Sequence, residues 1–178
     1  MTTGMTPGLS TGTTTRGVVV RPTDDDVPAI VALNNRFAPE GLTLPRTPAF
    51  VQAHLDDFRI VRGSRGDVVG QVALDEYSPS LVELVSLAVA PEAQGRGLGA
   101  ALIHAAVALA TRRGHPRIIA VSLADTLFLR CGFTKSNLDD FPEKTWRYKA
   151  ISRSELSIGR KHLFVRELAP APGTTTSQ

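Results

Sequence analysis

Leu84–Arg113 reads LVSLAVAP, then EAQGRGLG, then AALIHAAVALATRR. A short apolar run passes into a glycine-rich turn and then into a long amphipathic pattern, which predicts strand, loop and helix in that order. Gly95, Gly97 and Gly99 carry no Cβ, so their backbone is free to turn and a ligand can approach their N–H groups closely. The first turn of a helix has N–H groups with no internal acceptor, and the helix dipole adds partial positive charge there. A glycine loop that opens a helix is therefore a site for phosphate. Within the helix, Leu98, Leu102, Ala105 and Leu109 form one stripe, widened by Ile103, Val107 and Ala110. That pattern predicts a helix buried on more than one side.

Around this unit the chain reads as a single domain. Its 178 residues, 42% of them hydrophobic, suffice for one core. A net charge of +3 leans mildly toward anionic ligands, and no basic run interleaved with aromatics predicts nucleic-acid binding. No apolar run approaches membrane-spanning length, and the first residues, MTTGMTPGLSTGTTTR, do not read as a secretory signal. The single cysteine, Cys131, excludes an internal disulfide and fits a reducing, cytoplasmic setting. Residues 1–15 and 169–178 are small and polar and are expected to be disordered tails around a domain at 16–168.

Taken in order, Gly17–Arg21 predicts the first strand. Thr23 followed by Asp24, Asp25 and Asp26 predicts a capped helix start, with Pro28 in the first turn and Val27, Ile30, Val31 and Asn34 on one face. Residues 38–47 read as a loop and residues 49–57 as a helix. Phe58–Arg62 and Val68–Leu74 read as a hairpin around GSRGD, and residues 75–80 as a second turn. Leu81–Val89 is the strand that enters the glycine loop. After the long helix, Arg117–Val121 predicts a buried strand and Leu123–Cys131 a short helix. Residues 134–146 read as irregular, and His162–Leu168 as the strand that closes the sheet.

Three glycine motifs compete for the loop. The phosphate loop of nucleotide hydrolases needs Gly-Lys-Ser/Thr, and no lysine follows these glycines. The dinucleotide fingerprint needs G-x-G-x-x-G at the first strand–helix turn, whereas G-x-G-x-G stands here mid-chain after hairpins. The third motif matches. Gln94-Gly95-Arg96-Gly97-Leu98-Gly99-Ala100 after an LAVAP strand, with Phe128-Leu129-Arg130-Cys131-Gly132-Phe133 downstream, resembles the GNAT superfamily of N-acetyltransferases. The resemblance implies an α/β fold with a mixed, mostly antiparallel sheet flanked by helices. It implies acetyl-CoA as co-substrate, direct transfer to a small-molecule amine, and no metal. It further implies that N–H groups of Gly95, Arg96, Gly97, Leu98, Gly99 and Ala100, with Gln94 and the Arg96 side chain, hold the pyrophosphate. Leu87, Ala88 and Val89 would pair with the pantetheine arm, an N–H there facing the developing oxyanion, and Phe128 would line the site. Dimerisation is common in the superfamily.

Glu83 is the one acid on its strand, six residues before Val89. Branches of the superfamily use a glutamate at this place as general base, and apolar surroundings would suit a carboxylate to that task. The tyrosine that usually serves as general acid is replaced by Phe128; Tyr77 and Tyr148 lie elsewhere, and Cys131 reads as a small buried residue. GLTLPR at 41–46, the DFRIVR strand and Phe141-Pro142-Glu143 with Trp146 resemble the acetyltransferase domain of N-acetylglutamate synthase. That likeness implies acetylation of the α-amine of a small acidic amino acid, glutamate first, as in arginine biosynthesis. Arg46, Ser86, Arg160 and Lys161 would meet the acceptor, an arginine fork suiting carboxylates. Departures are Gln71 where many relatives have cysteine, an insert at 149–159, and no amino-acid kinase portion, which implies a short form. Other amines (a drug, a polyamine or a protein N-terminus) stay open, as does a non-catalytic acyl-CoA sensor.

Overall fold

The computed structural model describes residues 17–145 and 161–169. Seven strands form one sheet: β1 (Val19–Val20), β2 (Phe58–Arg62), β3 (Val68–Ser78), β4 (Leu81–Val89), β5 (Arg117–Ser122), β6 (Thr134–Ser136) and β7 (His162–Glu167). Their order across the sheet is β1-β2-β3-β4-β5-β7-β6. Every neighbouring pair is antiparallel except β4–β5. That one parallel junction requires a crossover, and α3 (Leu98–Arg112) supplies it. The sheet is therefore mixed and mostly antiparallel, as expected.

The two faces carry different helices. Val72, Leu74, Val82 and Leu84 pack with Leu102 and Ile103 of α3. Ala73 packs instead with Val27 and Ile30 of α1 (Val27–Arg36) and Val51 of α2 (Pro48–Ala53). The alternation follows from the two-residue period of a strand. Leu102 and Ile103 are fully buried, so truncating either to alanine removes about 2–5 kcal/mol. A third cluster, Leu81, Ile119, Phe141 and Leu163, lies at the β6 end of the sheet. The start of α1 is built as its sequence predicts. Asp24–Asp26 form a 3-10 turn, and Thr23 and Asp26 make a reciprocal capping box.

Four expectations change. β3 does not end at Leu74 but continues to Ser78, because Asp75 and Glu76 pair with Glu83 and Val82 and the hairpin turn shrinks to Pro79 and Ser80. The second helix breaks at His54 into a 3-10 turn, Leu55–Asp57. The stretch at 134–146, expected to be irregular, contains β6, a 3-10 turn at Leu138–Asp140 and a helical turn at 142–145. β7 does not close the sheet: it lies between β5 and β6, because β6 pairs with its far edge. The tails expected at 1–15 and 169–178 (residue 169 apart), with Trp146, Tyr148, the insert at 149–159 and Arg160, lie outside the described residues.

Asp26 is buried and receives the Thr23 N–H at 2.8 Å and the Arg62 guanidinium at 2.8 Å. Burial opposes its charge, but these donors outweigh burial and hold the carboxyl below the usual range. The unfolded chain therefore binds more protons than the folded one as acid is added. The stabilisation is complete above about pH 5 and is lost as pH falls through the folded value. Asp26→Asn is expected to lower stability at neutral pH by about 1 kcal/mol. In urea titrations at stepped pH, its stability should also fall less steeply with acid than the wild type's.

Candidate functional site

The site begins where the parallel ladder stops. β4 and β5 pair at Val82–Ile118, Glu83–Ile119 and Leu84–Ala120 and not beyond. On its other edge β4 carries one extra residue. Ala73 faces Val85 and Gln71 faces Ala88, so two steps on β3 correspond to three on β4. This bulge contains Ser86, whose φ of 54° makes it the one non-glycine residue with positive φ among the described residues. A bulge re-aims the backbone and takes it out of the ladder. Past it, β4 and β5 enclose a cleft of about 590 Å³ lined by Val85–Val89 on one side and by Val121, Ser122 and Phe128 on the other.

The glycine loop forms one end of this cleft. Gly95 and Gly97 have φ of 75° and 77°, and a Cβ on either would meet no atom within 4 Å. Their glycine identity is thus a backbone requirement, and the space above them is open. Gly97 is the left-handed N-cap of α3, and the first helical hydrogen bond runs from Ala101 N to Gly97 O at 3.1 Å. The N–H groups of Leu98, Gly99 and Ala100 consequently have no acceptor within the helix. Gly99 is different: a Cβ there would meet Leu127 at 3.2 Å, so it sets the approach of α4 (Asp125–Arg130) to α3. Gln94 ties the loop to its strand, its Nε2 donating to Val89 O at 3.0 Å. Open N–H donors at one end, a free strand edge and apolar walls suit a phosphate-bearing ligand with an extended arm.

A cluster of charged groups gathers around β4 at Glu83. Glu83, buried, accepts hydrogen bonds at Oε2 from the Tyr77 hydroxyl at 2.5 Å and from the Lys144 ammonium at 2.6 Å. Its surroundings are thus polar, not the apolar setting expected of it. Asp75 stands opposite Glu83 in the ladder. Burial lowers the basicity of the Arg46 guanidinium, and the charges of Asp75, Glu83 and Tyr77 raise it in part. Arg46 also lies over the Phe50 ring, 4.2 Å from its centre. Asn35 fixes its backbone by a two-way clamp: Arg46 N donates to Oδ1 at 2.8 Å and Nδ2 donates to Arg46 O at 2.9 Å. Asn34 and Thr43 add bonds of 2.7 Å to Leu44 O and 2.6 Å to Asn34 O. The loop at 38–47 is therefore laced to the end of α1. Lys161 crosses to the same loop, donating to Gly41 O, and burial lowers its basicity.

Most sequence-predicted residues gather here. Ser86, Leu87, Ala88, Val89, Gln94, Gly95, Gly97, Gly99, Ala100, Phe128 and Lys161 line the cleft. Arg96 does not: it donates to Glu92 O at 3.2 Å and lines a separate cleft beside β1 and β2. The Leu98 side chain is buried in the core, which leaves only its N–H for a ligand. Phe128 both lines the cleft and packs between Phe133 and Phe164. Glu83 and Arg46 do not line the cleft: Glu83 lies two residues before Val85 on β4, and its charge acts on Arg46. Lys144, Asn34 and Asn35 were not expected to act. Two adjacent asparagines at the end of an apolar helix, before a Pro/Gly loop, were the available signal for the clamp; nothing in the sequence pairs Lys144 with Glu83.

The profile of the acetyltransferase (GNAT) family matches residues 27–133. An uncharacterized N-acetyltransferase of Chlorobaculum tepidum is 32% identical over 122 residues, which cover 68% of this chain and 78% of that protein. An amino-acid acetyltransferase of Neisseria meningitidis is 29% identical over 146 residues, 80% of this chain. The chain spans only 32% of that relative's length. Among solved structures, N-acetylglutamate synthase from Neisseria gonorrhoeae, complexed with coenzyme A and N-acetyl-glutamate, superposes with a TM-score of 0.72 at 26% identity. The match covers 85% of this chain and 35% of that one. The fold is also shared with Rv2747 from Mycobacterium tuberculosis, solved with CoA: TM-score 0.74, 23% identity, 85% of this chain and 99% of that one. A profile match over more than half its residues, and a relative at 32% identity aligned over most of its length, mean that the chain belongs to the acetyltransferase (GNAT) family, whose reaction is N-acetylation from acetyl-CoA.

Proposed function

We propose that this enzyme acetylates the α-amine of a small acidic amino acid, glutamate first. The observation that carries the reading is the proximity of Arg46 to Glu83, whose charge acts on the guanidinium. A half-buried guanidinium, its backbone clamped by Asn35, lies within electrostatic reach of a buried carboxylate on the strand that leads into the cleft. The first is a carboxylate anchor and the second a proton acceptor, which are the two groups an amino-acid substrate requires. The likeness to amino-acid acetyltransferases and to an N-acetylglutamate synthase supports the same reading.

Acetyl-CoA supplies an activated acyl group as a thioester. The free edge of Leu87–Val89 aligns its arm, with N–H donors toward the acyl oxygen, where negative charge develops. Gly95, Gly97 and the first turn of α3 hold its phosphates. Arg46 anchors a carboxylate of the acceptor, orienting the amine toward the cleft. Glu83 takes one proton from the substrate ammonium, so that the nitrogen lone pair can form the new C–N bond as the C–S bond breaks. The second nitrogen proton goes to the departing sulfur, and Glu83 returns its proton to water. The net products are the amide, CoA as the thiol and one proton. Phe128 offers no proton to the sulfur.

Thiol release from acetyl-CoA with a panel of amino acids tests this reading. Glutamate or aspartate is expected to give the highest kcat/KM. Glu83→Gln should lower kcat by about 10²–10⁴-fold with CoA binding intact. Preference for cationic amines would overturn the acceptor assignment, and a fully active Glu83→Gln would overturn the base.

The clamp yields a separate expectation. Arg46→Met should raise KM for the acidic acceptor by about 10–100-fold, the loss of one charged hydrogen-bonded contact. Asn35→Ala should raise it by about 3–10-fold. Steady-state kinetics should find KM for acetyl-CoA unchanged in both.

A further inference from the structure

We infer that Lys144 is a positioning residue for the transfer: with Tyr77 it pins one oxygen of Glu83 and leaves the other to receive the substrate proton. The inference rests on the reading of Glu83 as the base. Both donors converge on Oε2, the Tyr77 hydroxyl at 2.5 Å and the Lys144 ammonium at 2.6 Å. Among the described residues no donor takes Oε1. The ammonium lies 3.4 Å from the Tyr77 oxygen and 5.4 Å from its ring centre, so the three groups touch one another.

Geometry and burial set this contact apart from a surface ion pair. Lys144 is 1% exposed, and the side chain of Glu83 is 8% exposed. An ammonium is seldom buried so completely, because its desolvation exceeds what most pairings return. Lys144 sits on the helical turn at 142–145, which Phe141 roots in the cluster of Leu81, Ile119 and Leu163. The segment after β6 thus delivers a cation to β4 across 61 positions of sequence. A core side chain of similar volume would fill the place without the desolvation penalty. A charge here makes sense where the partner must be held ionised and in one rotamer.

Among the described residues, the other charged and titratable groups facing Glu83 are Asp75, across the ladder, Tyr77, on the same strand as Asp75, and Arg46, from the loop. Asp75 opposes the negative charge of Glu83 and Arg46 favours it. Arg46 is assigned to the acceptor, so Lys144 is the cation left in direct contact with the base.

The test is the pH profile of kcat/KM for the preferred amino acid, with KM for acetyl-CoA recorded beside it. In Lys144→Met the acidic limb should move to higher pH, because the carboxylate loses the cation in contact with it. The plateau kcat should fall and KM for acetyl-CoA should not change. Lys144→Arg should restore the limb. Tyr77→Phe, which removes a hydrogen bond and no charge, should lower kcat and move the limb the same way but less far. If Lys144→Met proves too unstable to assay, Glu83→Gln/Lys144→Met, which removes both charges together, should fold and be no slower than Glu83→Gln alone. A limb unmoved in Lys144→Met, or a double variant much slower than Glu83→Gln, would overturn the role of Lys144 and leave Glu83 as base untouched. A fully active Glu83→Gln would instead remove the base and this inference with it.

Discussion

The site depends on how far one parallel pairing extends. β4 and β5 are held together at Leu84 and Ala120, and the next residues of β4 leave the ladder through the bulge at Ser86. Had the pairing continued, the edge of Leu87–Val89 would be spent on β5 and no cleft would exist. The glycine loop follows β4 directly, so the direction in which the strand leaves the sheet also decides where α3 begins. Two close approaches keep that helix in place. A Cβ on Gly70 would meet Leu102 at 3.1 Å, and one on Gly99 would meet Leu127 at 3.2 Å. Strand splay, loop and helix packing are therefore one arrangement, and the cleft is what remains between them.

The two halves of the proposed site use different physics. The cofactor half is made of backbone: N–H groups of a loop and a helix start, and the free edge of a strand. It needs glycine where φ is positive and otherwise tolerates many side chains. The acceptor half is made of charges brought together from α1's following loop, β3, β4 and the turn at 142–145. Buried pairs such as Lys144–Glu83 are weak evidence of stability, since desolvation offsets much of their attraction. On the proposed reading, Lys144 is there to hold Glu83 in place.

That division also accounts for what could be read in the sequence. Strand β4, the loop and α3 were legible because local pattern determines them: Leu81–Val89 and the start at Leu98 fall where periodicity and glycine spacing put them. Asp75–Ser78 misled because acids beside a proline read as a turn, while the apolar partner strand Leu81–Val85 recruited them into the ladder. β6 was missed because three polar residues, Thr134–Ser136, form a strand only when β7 offers an edge. Glu83 and Arg46 were singled out through resemblance to a family. Lys144 was not, because its meaning comes from a contact with a strand far earlier in the chain.

Local rules are broken at neighbouring points, and one of them, Ser86, lines the cleft. Ser86 holds a left-handed φ of 54° that glycine would adopt without penalty, a strain of roughly 1–2 kcal/mol. Across the ladder, Gln71 pairs with Ala88 and is fully buried, with neither amide atom partnered among the described residues. A buried unsatisfied amide costs about 1–3 kcal/mol. Either feature is removable by a single substitution, glycine at 86 or an apolar residue at 71, without disturbing the core clusters around them. Their coincidence on the two strands that frame the bulge argues that this backbone is shaped for a ligand at the expense of stability, as strained sites generally are. On this view the bulge is the working part of β4, and the regular pairing before and after it is the scaffold that holds the strain.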